Sequence, residues 1–181
     1  KMENIDLENI GAKINSIRQD PTMYTLQTNS DTLDHQLKLW MHVIFYHCFI
    51  NHIYTITISD LQTCDITKHP DQQSNRSLKH TDLQKVLTYM KEKEYALSDD
   101  QNVYIITGKN RINLIADGLL DWAKEDPMDR EQMLIADIHD DEKFESIPVD
   151  FLVKVAEYMD DVGDAVFERF DGEPSIKFLD L

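Results

Sequence analysis

Leu83-Gln84-Lys85-Val86-Leu87-Thr88-Tyr89-Met90 returns 69 positions later as Leu152-Val153-Lys154-Val155-Ala156-Glu157-Tyr158-Met159. Both stretches space their apolar residues by three and four, the period of a helix with one buried face. The same shift lays Ala96 on Ala165 and Leu97 on Val166. Apolar helix positions match easily by chance, so the letters carry less weight than the order of elements around them.

That order repeats. Upstream of the first copy, Leu33, Leu37, Trp40, Ile44 and Cys48 define the buried face of a helix capped near Ser30 or Asp31. Residues 54–58 alternate as a strand, and residues 95–97 and 103–106 pair across a turn at 98–102. Around the second copy, Ile112, Ile115, Leu119 and Trp122 mark a helix ending near Pro127, and residues 133–135 form a short strand. Pro148 opens the copied helix, where its missing donor is harmless, and Gly163 stops it. Strands at 165–170 and 176–179 then flank Asp171-Gly172. The short middle helix of each unit is expected at 59–66 and 137–144, and 62–77 reads as a loose polar loop.

Three helices closed by a two-stranded ribbon make a winged helix. The fold class is therefore α+β, with two tandem winged-helix domains. Residues 1–20 form an N-terminal extension with a short amphipathic helix on Leu7, Ile10, Ile14 and Ile17, closed by Pro21. The first domain spans 21–107. The second spans 108–181, with Gly108 breaking the pattern between them.

Net charge is −16 and unevenly placed. Residues 1–110 carry 11 basic and 14 acidic side chains, whereas residues 111–181 carry 7 and 20. The second domain thus repels phosphates and anionic headgroups and attracts basic partners. The helix at 80–93 is mildly basic through Lys79, His80, Lys85, Lys91 and Lys93, but Glu92 and Glu94 interrupt it. A winged-helix DNA-binding or transcription-associated protein is the alternative reading, and the charge disfavours it. No nucleic-acid partner is expected.

Residues 40–58 approach the length of a membrane span, yet hold His42, His47, Asn51 and His52 before alternating. They read as a buried helix followed by a strand. The first residues mix acids with scattered apolar positions, which is not a signal-peptide pattern. Two cysteines, Cys48 and Cys64, form no disulfide framework and fit a reducing compartment.

Chemistry-bearing motifs are sparse. Five glycines form no phosphate-cradling loop, and there is no Gly-x-Ser-x-Gly elbow. The pairs Asp140-Asp141 and Asp160-Asp161 are unremarkable among 34 acids. Cys48 and His52, one helical turn apart, with His47, Cys64 or His69, match no zinc spacing. No catalytic residue, metal or cofactor is expected.

The most specific string is Pro21-Thr22-Met23-Tyr24-Thr25-Leu26-Gln27-Thr28-Asn29-Ser30-Asp31-Thr32, followed by Gln36 and Trp40. It resembles the amino-terminal signature of the vacuolar protein sorting-associated protein 25 family, the small subunit of the ESCRT-II complex. That signature is Pro-Pro-x-aromatic, then Thr-x-Gln-Pro-Asn-x-x-Thr, with a glutamine four residues on and a tryptophan eight on. Thr22 and Thr28 replace two of the prolines. Leu120-Asp121-Trp122 is similar to the family's Gln-Trp helix end, and 172–178 to its last wing, although Ile115 stands where a second tryptophan is expected.

The resemblance implies a non-enzymatic subunit, cytoplasmic and recruited to the endosomal membrane, with only indirect membrane contact. It implies that Pro21, Met23 and Tyr24 dock into the two larger ESCRT-II subunits. It further implies that the second domain recruits an ESCRT-III subunit through that subunit's helix. The proline suits docking, since it fixes the backbone beside two large apolar side chains, the alternative being that Tyr24 packs against its own first helix. For the ESCRT-III surface, charge density singles out Asp140, Asp141, Glu142 and Glu145, with Phe144 supplying apolar area.

Overall fold

The computed structural model describes residues 3–99 and 102–181. The chain divides into two compact units, Lys1–Gly108 and Lys109–Leu181.

The first unit runs α1 (Leu7–Gln19), a 3-10 turn (Pro21–Tyr24), α2 (Ser30–Ile50), β1 (Thr55–Thr57), α3 (Ile58–Thr63), a second 3-10 turn (Asp65–Thr67), α4 (His80–Glu92), β2 (Ala96–Ser98) and β3 (Val103–Ile106). Its sheet is antiparallel in the order β1-β3-β2. The second unit runs α5 (Lys109–Glu125), α6 (Pro127–Arg130), β4 (Gln132–Leu134), α7 (Ile135–His139), α8 (Val149–Val162), β5 (Ala165–Phe170) and β6 (Glu173–Phe178). Its sheet order is β4-β6-β5, the same pattern. Each unit is a winged helix.

The 69-residue repeat extends to the backbone. After α4, Glu94 takes a left-handed φ of 63° and the Tyr95 amide donates to Met90 O at 2.7 Å. After α8, Gly163 takes φ 86° and the Asp164 amide donates to Met159 O at 2.9 Å. Both helices thus stop by one motif, which satisfies a carbonyl that the helix end leaves free. Glycine reaches that conformation without strain, whereas Glu94 occupies it with a Cβ. The next residues but one, Ala96 and Ala165, are both buried.

In the first unit α2 is the central element. Trp40, Val43, Ile44, Phe45 and Cys48 have no exposed surface, a stripe too broad for one neighbour. Leu61, Leu83, Val86, Leu87 and Met90 of α3 and α4 join the same core. α1 packs on α2 through Ile10, Ile14 and Ile17, so residues before Pro21 belong to this unit rather than standing apart. Gly11 allows the approach: a Cβ there would lie 2.8 Å from the Tyr46 hydroxyl.

Several boundaries differ from the sequence reading. Asn29 rather than Ser30 or Asp31 caps α2, accepting from the amides of Asp31 at 3.1 Å and Thr32 at 3.2 Å. The middle helices are shorter than expected and start earlier, at Ile58 and Ile135, directly from their strands. The stretch 62–77 is not loose. Thr67 is fully buried and donates to Leu61 O at 2.6 Å, and Lys68 pairs with Ser77. Of the turn expected at 98–102, Asp100 and Gln101 lie outside the described residues. Among the described residues, no helix is long and apolar enough to cross a membrane.

Candidate docking sites

Two surfaces carry the residues singled out above, one in each unit. In the first, the distal members of the string hold the proximal ones. Gln36, almost fully buried, donates through Nε2 to Thr22 O at 3.1 Å and Thr25 O at 3.0 Å. Its Oε1 accepts from the Gln27 amide at 2.9 Å. Trp40 Nε1 donates to Met23 O at 2.9 Å, and Tyr24 packs edge-on against its ring, centroids 5.4 Å apart. Every one of these bonds goes to backbone or ring, so the 21–27 segment is fixed in shape by residues far along the string.

This arrangement corrects one expectation. Pro21 is exposed, but Met23 and Tyr24 are 4% and 7% exposed and lie in the first unit's own core. They are not free to fill a partner's pocket in this conformation. The Tyr24 hydroxyl donates to Arg18 O at 2.7 Å, and the His69 ring tilts over Tyr24 at 5.8 Å. Burial pushes the Tyr24 phenol up to about 12, against an opposing pull from the Arg18 guanidinium. Arg76 Nη1 closes the set by donating to Pro21 O at 3.2 Å.

Thr22 has a role that proline lacks. Its hydroxyl and its amide both donate to Asp20 Oδ1, at 2.7 and 2.9 Å, and together hold the Asp20 carboxyl below its ordinary range. The turn into Pro21–Tyr24 is therefore capped by Asp20 through an N–H that a second proline would remove.

In the second unit the acidic run divides into two kinds of residue. Asp140, Glu142 and Glu145 are exposed. Asp141 instead accepts from the Lys143 amide at 2.9 Å and from Trp122 Nε1 at 3.0 Å, and these donors hold its carboxyl low. Phe144 is buried edge-on to Trp122 at 5.6 Å. It is a core side chain and offers no contact area, contrary to the sequence reading. Arg130 stacks over Trp122 at 4.2 Å and donates to its carbonyl at 2.7 Å. Glu125 bridges Lys143 at 3.0 Å and Arg130 at 3.3 Å.

Cys64 Sγ lies 3.5 Å from His47 Nε2, while Cys48 is buried. Burial, reinforced by Arg18, lowers the His47 pKa. Among the described residues, no group of three or more His, Cys, Asp or Glu is placed to hold a metal.

The fold and these two surfaces define a tandem winged-helix protein whose candidate sites are docking surfaces. Residues 19–151 match the model of the ESCRT-II complex subunit family. The chain belongs to that family. Among curated proteins none matches it. Among solved structures it is similar to subunit VPS25 of the endosomal trafficking complex ESCRT-II, with a TM-score of 0.64 and 18% identity. It is similar also to a chain of the endosomal complex ESCRT-II (VPS22/VPS25/VPS36), with a TM-score of 0.63 and 17% identity. Each match covers 90% of this chain and 97% of the other. At such identity the likeness supports the fold.

Proposed function

We propose that this chain is the small subunit of an ESCRT-II assembly, a non-enzymatic adaptor recruited from the cytoplasm to endosomal membranes for multivesicular-body sorting. The observation that carries this is the family match over 19–151, which contains the whole docking string. One solved relative is a complex of VPS22, VPS25 and VPS36, which supports two further subunits as partners.

In this reading Pro21, Met23 and Tyr24 form the anchor for the larger subunits. Gln36 and Trp40 order its backbone, while the Met23 and Tyr24 side chains have to leave the chain's own core to dock. Tyr24→Ala in the full chain is expected to weaken binding to the two larger subunits by about 2 kcal/mol, roughly thirtyfold. Because Tyr24 is also a core residue, its melting temperature must fall as well, and binding is compared well below it. Undiminished affinity in a folded variant overturns the anchor.

The second unit recruits an ESCRT-III subunit through a basic helix, supported by the excess of acids in 111–181. Reversal belongs at the exposed Asp140 and Glu142 and not at Asp141, which holds Trp122. Asp140→Lys with Glu142→Lys is expected to slow association with a basic helical peptide of that subunit. The slowing should be greatest at low salt, since steering acts on the on-rate and is screened. Association that ignores both charge and salt would reduce the acidic surface to a solubility device.

A further inference from the structure

We propose that residues 3–20 are an intramolecular cover on the docking segment, displaced when a larger subunit binds. The proposal rests on the docking role of Met23 and Tyr24 given above. It answers the difficulty the structure raises, that both side chains are buried in the chain's own core.

α1 is the covering element in contact with the anchor. The Tyr24 hydroxyl is tied to the carbonyl of Arg18 in the last turn of α1, and Gln19 O lies 3.0 Å from Nε2 of His69, the ring that tilts over Tyr24. Arg18 Nη2 in turn straps α1 down by donating to Asp65 O at 2.7 Å and Lys68 O at 3.1 Å. Undoing α1 removes the acceptor of Tyr24 and the strap beside it.

Three features mark this attachment as releasable. First, its contact is incomplete: a solvent-open pocket of about 470 Å³ is lined by Glu3, Ile5, Asp6 and Ile10 on one side and by Lys38 and His42 on the other. Second, it is imperfectly paired. Arg18 Nε and His42 Nδ1, both at the edge of this segment, are buried without a hydrogen-bond partner. Incomplete contact and orphaned polar atoms forfeit part of what burial gains, and regions so built open before the rest of a domain. Third, α1 lies outside the stretch that the family match covers. The family match begins at residue 19, after nearly all of α1, whereas the string and α2 lie within it. Gly11 within α1 adds to the weakness, because glycine favours the unfolded chain.

A cover of this kind lowers the apparent affinity by the fraction of chains in which the anchor is free. The test uses the full chain and the pair of larger subunits, with amide hydrogen exchange and association kinetics. On binding, the amides of 7–19 are expected to lose protection while those of α2 and α4 gain it. Ile14→Asp, which loosens α1, is expected to raise the association rate about tenfold. If Ile14→Asp disturbs the core, Arg18→Gln cuts the strap alone and should raise the rate by a smaller factor. Retained protection of 7–19 in the complex overturns the cover, as does an unchanged rate once exchange shows α1 released. Should Tyr24→Ala weaken binding while 7–19 stays protected, docking stands and the cover falls. Should Tyr24→Ala leave binding intact, the docking reading itself falls.

Discussion

Replacing Trp40 with alanine is expected to destabilise the first unit by about 4 kcal/mol, within the range for emptying a large aromatic site in a core. Trp40 is fully buried, so no part of the loss is recovered from solvent. Three interactions vanish together: the packing inside α2's core stripe, the edge-on contact with Tyr24, and the hydrogen bond to Met23 O. The last leaves a carbonyl short of a partner, which costs more than the bond itself contributed. Trp40→Phe keeps most of the volume and isolates that bond, and about 1–2 kcal/mol is expected. Denaturant unfolding followed by circular dichroism measures both. Only two tryptophans exist, so in either variant the fluorescence of Trp122 reports the second unit alone. A cost for Trp40→Ala below 1 kcal/mol would show that the string is not held as described.

How much of this was legible in the sequence depends on whether a residue's partners lie near it along the chain. The winged helices were legible because period and element order are local, and because the same order occurs twice. Even the helix stops follow, since Gly163 announces one, although Glu94 hides its counterpart behind a residue that seldom takes a left-handed φ. The burial of Tyr24 was legible only as one of two readings, because what decides it, Trp40 and His69, lies 16 and 45 residues away. Gln36 and Trp40 stood in the quoted string, yet nothing local says that they bond to its backbone. In the acidic run, charge density treats Asp141 and Asp140 alike. Only the approach of Trp122, 19 residues earlier, separates a residue that holds the corner from one that faces solvent.

The glycines supply the second large effect, and its sign differs among them. Gly108 closes the first unit with φ 107°, and a Cβ there would sit 2.6 Å from Cδ1 and Cε1 of Tyr95 and 2.8 Å from Cε2 of Phe45. Both rings are held in place: Tyr95 and Phe45 are buried edge-on against each other at 5.1 Å, and the Tyr95 hydroxyl donates to Glu3 O. Thr107 fixes the backbone just before it, donating its amide to Tyr95 O and its hydroxyl to Glu94 O, each at 3.0 Å. Backbone strain of about 1–3 kcal/mol therefore adds to overpacking of similar size. Gly108→Ala is expected to cost about 3 kcal/mol or more. Gly163 also has a positive φ, but nothing lies within 4 Å of its would-be Cβ. Gly163→Ala should show the strain alone, about 1 kcal/mol. Gly118 sits in α5 with open space around it and an ordinary helical backbone. There alanine is expected to stabilise the protein, by up to about 1 kcal/mol. The three variants measured together by chemical denaturation separate clash, strain and helix propensity. A neutral Gly108→Ala would mean that Tyr95 and Phe45 yield, and that the end of the first unit is looser than its packing indicates.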